Sequence, residues 1–443
     1  MKKTVIGLLI LIVISLIIFF ILDKQEKSID GAVKSYQDNK LIVVKDGKEF
    51  EFLNIKEELY VNDYINVRYS GLINKRVNKI TVKSRIEEVE EKEDLSEAEK
   101  LMGDNGIFKE YYDEAYLIMN KMSLDEKIAQ MLFVRVPEED DFSILTRYQF
   151  GGYLLFAKDV KYITKNELIE KTGYYQNASK IPVLIGIDEE GGTVSRISSN
   201  PNIVKERFKS PQELYQIGGM DKILEDLKEK NSLLKELGIN VNLAPVADVS
   251  ENPSDYMYYR TFGKNANETS DYIKEVIEAS KGTDVSSVLK HFPGYGNNVD
   301  THTGIAIDNR SLEEFKNVDF KPFKAGIDAG AEAVLVNHNI IVNIENNVPA
   351  SLSKNVHTIL RNDLGFSGII ITDDILMSAI KDYVDNPSVK AVLAGNDLII
   401  VSDYEKSLNE IKEGINNGSI SMELIDRAVV RVIAWKYYKG LIK

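Results

Sequence analysis

From Leu101 to Lys443 the chain alternates short, uninterrupted apolar runs with longer amphipathic ones. The apolar runs are MLFVRV (131–136), FGGYLLF (150–156), PVLIGID (182–188), NVNLAPVADV (240–249), SSVLKHF (286–292), AVLVNHN (333–339), GIIITDD (368–374) and DLIIVS (397–402). Between them lie stretches such as DKILEDLKEKNSLLKELG and ETSDYIKEVIEASKG, whose apolar residues recur at helical spacing. Continuous apolar strands separated by amphipathic helices predict a parallel sheet covered by helices. Eight of them predict an α/β domain of the (β/α)8 TIM-barrel type over 101–443. A doubly wound open sheet is the alternative, but no strand is followed by GxGxxG. Ser123 with Glu126 three residues on predicts a capped helix start.

A different pattern precedes this region. AVKSY, KLIVVK, KEFEFL, YINVRY and NKITVK are strand-like, and Asp46-Gly47 between two of them reads as a hairpin turn. They predict a small all-β module over 28–85, of the OB or SH3-like barrel or sandwich kind. The acidic run IEEVEEKEDLSEAEK then predicts a solvated linker or exposed helix, placing a boundary over 86–100.

At the start of the chain, Val5 to Leu22 is apolar without a charge, long enough to span a bilayer core. Lys2 and Lys3 precede it, while the charges of Asp23, Lys24, Glu26 and Lys27 nearly cancel after it. Residues 1–27 are therefore expected to form a single-pass transmembrane anchor, with the cell membrane as partner and the rest of the chain extracytoplasmic. A cleaved signal peptide is the rival, but FFILDKQEK lacks an A-x-A-like site.

Composition narrows the chemistry. A net charge of −14 argues against a nucleic-acid partner. The absence of cysteine removes disulfides and thiolate metal sites. HExxH and GxSxG are also missing, so no metal or other cofactor is expected and a serine-elbow hydrolase is disfavoured. The predicted strands end in Asp188 with Glu189 and Glu190, Asp248, Lys290 with His291, His338, and Asp373 with Asp374. Active sites of such barrels lie at the C-terminal strand ends, so five strands finish in ionisable groups at the functional edge. Aspartates with a histidine suit a nucleophile and an acid/base pair, as in glycosyl transfer.

Two of the four histidines lie in KHFPGYGNNVDTHTG (290–304). This loop resembles the KHFPGHG…DSH signature of glycoside hydrolase family 3, in its compact bacterial β-N-acetylglucosaminidase branch. MSLDEKIAQML, GIDEEGGTVSRI, NLAPVADV, RTFG, PASLS, GIIITDDILM and AGNDLIIV are similar to further family segments in the same order. The resemblance implies a TIM barrel, without the second α/β domain of many members. It implies Asp373 as catalytic nucleophile, His302 as acid/base and Asp300 as its partner. It further implies that Asp188, Arg260, Lys290 and His291 bind the terminal sugar. Asp248, His338 and Asp374 are expected to support the site, and His357 to be an ordinary helix residue. Tyr295 stands where the branch usually has histidine, and Gly294 and Gly296 are expected to lend the loop freedom.

The function implied is a retaining exo-β-N-acetylglucosaminidase acting on GlcNAc-containing glycans derived from peptidoglycan, through a covalent glycosyl-aspartate. The alternatives are another family 3 specificity, a phosphorylase, or a non-catalytic cell-surface glycan-binding protein.

Overall fold

In KLIVVK burial alternates along the strand: Leu41 and Val43 are buried while their neighbours are not. That alternation is what one covered face of a sheet requires. The structure, a computed structural model, describes residues 15–16, 18–19, 21–37, 40–53, 55, 59, 64–70, 75–84, 95–136, 143–298, 301 and 304–443. The chain divides into two units, 1–95 and 96–443.

The first unit holds β1 (Lys27–Gln37), β2 (Lys40–Lys45), β3 (Lys48–Leu53), β4 (Tyr64–Ser70) and β5 (Arg76–Ser84). They form one antiparallel sheet in the order β3-β2-β1-β4-β5. Asp46 and Gly47 join β2 to β3 with φ of 49° and 72°, the doubly positive geometry of a tight hairpin. Ile29, Val33, Leu41, Val43, Phe52, Ile65 and Val67 make its core. The apolar run Val5 to Leu22 lies largely outside the described residues. Its described members Leu16, Ile18, Phe19, Ile21 and Leu22 are helical and exposed. Among the described residues no helix is long and apolar enough to cross a membrane.

In the second unit, Ser96 caps the helix Glu97–Met102 with a full capping box, and that helix buries Ala98 and Met102. The end of the acidic run is thus packed structure rather than linker. Eight parallel strands follow: β6 (Leu132–Arg135), β7 (Gly152–Leu155), β8 (Leu184–Ile187), β11 (Val241–Asn242), β12 (Ser286–Phe292), β14 (Ala333–Val336), β16 (Ile369–Thr372) and β17 (Ile399–Val401). Each pairs with its chain neighbour, and β17 returns to β6 through Ile399–Leu132, Ile400–Phe133 and Val401–Val134. A bridge between Ile371 and Leu398 links β16 to β17 and nearly closes the ring. This order excludes the doubly wound alternative, whose strand order reverses midway. Short pairs flank the barrel: β9 (Glu189–Gly191) with β10 (Val194–Ser195), and β13 (Ile307–Asp308) with β15 (Ile340–Ile341).

One strand is far shorter than its apolar run. NVNLAPVADV yields only Val241–Asn242, because Pro245 has no N–H for the ladder. Pairing resumes at the Val246–Lys290 bridge, where Ala247 N donates to Lys290 O at 2.7 Å.

The helix Met422–Tyr438 buries Trp435 and, beside it, Lys436. Lys436 Nζ donates to Gln130 Oε1 at 2.8 Å. Burial lowers its pKa to about 7, against about 10.4 in an unfolded chain. Between those values the unfolded chain holds a proton that the folded one does not. Stability should therefore climb as pH rises through that window, with a slope of at most about 1.4 kcal/mol per pH unit. In Lys436→Met this slope is expected to vanish; chemical denaturation at pH 7, 8 and 9 measures it, and an unchanged slope would assign the titration to another group.

Candidate active site

The C-terminal strand ends converge on a cavity of about 190 Å³. Asp188, Arg260, Lys290, His291, Tyr295, Asp373 and Asp374 line it, with Arg135, Arg196, Tyr256 and Phe156. The period-two alternation of an extended chain sorts the DEE triplet. Asp188 and Glu190 meet Lys290, while Glu189 between them points into the adjoining loop. There its carboxylate accepts the backbone N–H groups of Arg196 (2.8 Å) and Ile197 (2.7 Å).

Lys290 is almost wholly buried, yet its ammonium meets two carboxylates. Nζ lies 2.6 Å from Asp188 Oδ1 and 2.7 Å from Glu190 Oε1. Arg260 forks onto the same Glu190, with Nε 3.0 Å from Oε2 and Nη2 2.6 Å from Oε1. Burial alone would raise the pKa of Glu190, but the charges of Arg260 and Lys290 outweigh it and hold the carboxyl well below the usual range.

His291 is set by two partners. Arg260 Nη2 lies 3.1 Å from His291 Nε2, and Asp248 Oδ2 lies 2.7 Å from Nδ1. An arginine can only donate, so Nε2 carries the lone pair and Nδ1 donates its proton to Asp248. Asp248 also accepts the backbone N–H of His291 at 3.0 Å and of Tyr295 at 2.7 Å. It supports the site from below and does not line the cavity.

On the far wall, Asp373 leaves β16 partly exposed to the cavity. Its N–H donates to Val336 O at 2.9 Å, and its Oδ1 accepts Asp374 N–H at 2.8 Å. Arg135, at the end of β6, grips Asp374 Oδ2 through Nε (2.8 Å) and Nη2 (2.7 Å). Burial still pushes the Asp374 carboxyl up, with Arg135 opposing. His338 is fully buried and braces this wall: Nε2 donates to Asp374 O at 3.0 Å and Nδ1 accepts from the Ser351 hydroxyl at 2.7 Å. His357 lies in the helix Lys354–Thr358, where its Nδ1 donates to Ser353 O at 2.8 Å.

Asp300 and His302 lie outside the described residues, but Thr301 between them is described and buried. Gly294 and Gly296 are points of close backbone approach. With φ of 122° and 56° they let the backbone pass so close to the Asp319–Arg310 pair that a Cβ would stand 2.2 Å from Asp319 Oδ1 and 2.5 Å from Arg310 Nη2.

The site thus gathers Asp188, Arg260, Lys290, His291 and Asp373 around one cavity, with Asp248, His338 and Asp374 behind or beside them. The sequence assigned no site role to Glu190, Arg135 or Arg196. Glu190 was visible two residues after Asp188, and Arg135 as the one charge in an apolar strand. Arg196 carried no signal beyond its place in GGTVSRI.

The profile of the glycosyl hydrolase family 3 N-terminal domain matches residues 123–435. The chain belongs to glycosyl hydrolase family 3. As a member of that family it is a glycoside hydrolase built on a nearly closed eight-stranded barrel. It is 28% identical over 329 residues to a protein named beta-hexosaminidase LpqI from Mycobacterium tuberculosis, covering 71% of this chain and 83% of that one. A beta-hexosaminidase of Xylella fastidiosa is 30% identical over 296 residues, covering 63% of this chain and 85% of that protein. Among solved structures, a family 3 β-N-acetylglucosaminidase from Paenibacillus superposes with a TM-score of 0.67 at 28% identity. That match covers 72% of this chain and 63% of the other.

Proposed function

We propose that this family 3 hydrolase is a retaining, exo-acting β-N-acetylglucosaminidase that releases terminal GlcNAc from peptidoglycan-derived glycans. The observation that carries the reading is the Asp188–Lys290–Glu190–Arg260–His291 lattice facing Asp373 across one cavity. Such a lattice offers charged donors and acceptors to sugar hydroxyls, which it can bind strongly and directionally. A partly exposed carboxylate on the opposite wall is placed to meet the anomeric carbon. The names of the relatives support N-acetylhexosamine as the sugar.

In this mechanism Asp373 attacks the anomeric carbon while His302 protonates the departing glycosidic oxygen. The C–O bond to the leaving group breaks as an ester bond to Asp373 forms. Neutral His302 then takes a proton from water, whose oxygen displaces Asp373, so two inversions give net retention. Imidazole, with an unperturbed pKa of about 6.5, can carry that proton near neutral pH. Asp300, two residues away, would orient the ring and stabilise the imidazolium.

We further propose that residues 1–27 anchor the protein in the membrane with the hydrolase domain outside. The uncharged run Val5 to Leu22, the preceding Lys2 and Lys3, and the exposure of the described apolar residues support this. An extracytoplasmic position favours wall glycan or its turnover products as substrate.

The test compares GlcNAc–MurNAc fragments with chitobiose, following the anomer first released by NMR. Release of β-GlcNAc, with the muramyl substrate preferred, is expected; an α first product would reject retention, and no turnover of either would reject the activity. Full-length protein should sediment with membranes and become soluble on deletion of residues 1–27. Full-length protein in the soluble cytoplasmic fraction would overturn the anchor.

A further inference from the structure

Tyr295 is fixed at every point of its length. Its backbone N–H donates to Asp248, the carboxylate that also holds His291. Its ring stands edge-on to the His291 imidazole, with centroids 5.3 Å apart and planes at 83°. Its carbonyl accepts Asn298 Nδ2 at 3.1 Å, and the same amide reaches Asp308 Oδ2 at 2.7 Å. Beneath it, Gly294 and Gly296 seat the backbone on Asp319 and Arg310. The phenol oxygen then lies 2.6 Å from Thr301 Oγ1, a short hydrogen bond between two buried hydroxyls. Thr301 is covalently bonded to both Asp300 and His302.

We propose that the Tyr295–Thr301 hydroxyl pair ties the acid/base residues to the sugar-binding floor, making Tyr295 a positioning residue for proton transfer. This rests on the reading of His302 as the acid/base. The chain of fixed points runs from Asp248 and His291, through the Tyr295 ring, to a side chain midway between Asp300 and His302. Phenylalanine would fill the same space but could not hold Thr301. The phenol is available as a neutral donor, because burial, and after it the Asp373 charge, push its pKa above the usual range.

The rival is that each hydroxyl only satisfies the other in a buried place, which is a matter of stability. The variants Tyr295→Phe, Thr301→Val, their double, Thr301→Ser and His302→Ala separate the two. They are assayed in the full chain on a substrate with a poor leaving group, chitobiose, and on an activated dinitrophenyl N-acetylglucosaminide. Tyr295→Phe and Thr301→Val should each lower kcat/KM on chitobiose roughly fivefold to tenfold, the loss of one positioning hydrogen bond. Both should stay within about twofold of wild type on the activated glycoside, which needs little proton donation. Thr301→Ser should retain wild-type rates. In the double variant neither hydroxyl is left unpaired, so thermal stability should return towards wild type while the chitobiose defect persists without adding up. A defect that disappears with the regained stability, or equal losses on both substrates, would leave the pair only structural and overturn the proposal. Should His302→Ala itself fail to discriminate between the two substrates, the acid/base assignment falls first and takes the proposal with it.

Discussion

Asp373→Ala is expected to abolish turnover, lowering kcat on the order of 10⁴-fold or more, as loss of a covalent nucleophile does in other hydrolases. The fold should survive. The strand-end hydrogen bond at Asp373 uses its backbone N–H, to Val336 O, which alanine keeps. The side chain is partly exposed, and its charge is one of the influences that raise the neighbouring Asp374. Removing it relieves like-charge repulsion, at the cost of the bond from Asp374 N–H. Stereochemistry gives the sharper readout. With Asp373 absent, added azide would attack from the face the carboxylate occupied, in a single displacement. From a β-linked substrate with a good leaving group the product should be the α-glycosyl azide. Near wild-type turnover in Asp373→Ala would remove the nucleophile assignment.

His302→Ala should show the complementary pattern. Chitobiose, whose leaving oxygen needs a proton, should be slowed by roughly 10²–10⁴-fold. An activated aryl glycoside should still form the ester with Asp373 readily, but the ester should then accumulate, because no base activates water. Azide needs no base. It should restore turnover and, attacking the ester from the opposite face, give the β-glycosyl azide. The two variants with one nucleophile thus yield opposite anomers, which separates the roles more cleanly than rates alone. Asp300→Ala should resemble His302→Ala in milder form, since it removes the orienting partner and not the proton carrier. Equal loss on all substrates without azide rescue would mean that His302 binds or shapes the site.

Much of this protein was legible along the chain. Eight apolar runs marked eight barrel strands, and SSVLKHF matched β12 residue for residue. Asp188, Lys290 with His291, and Asp373 were recognisable as strand ends. Continuous burial and period-two alternation are local properties, imposed on each segment by the environment of its own side chains, so a sequence records them directly.

Pairings across the barrel were set elsewhere. Asp188 and Lys290 are 102 residues apart and meet because β8, β11 and β12 are consecutive neighbours in the ring. Alternation along DEE puts Glu190 on the same side as Asp188, but nothing in it says that this side meets Lys290. The direction of the strand leaving β8 decides it. The bridge from Ile371 to Leu398 depends on register. Tyr295 read as a departure from a familiar motif, and only the packing of its ring against His291 brings its hydroxyl to Thr301. The sequence by itself determined the strands and the chemical types at their ends, since each follows from local burial and residue chemistry. The tertiary structure decided which charges neutralise one another and which hydroxyls meet, since hydrogen bonds and ion pairs depend on distances of a few tenths of an ångström that barrel closure alone sets.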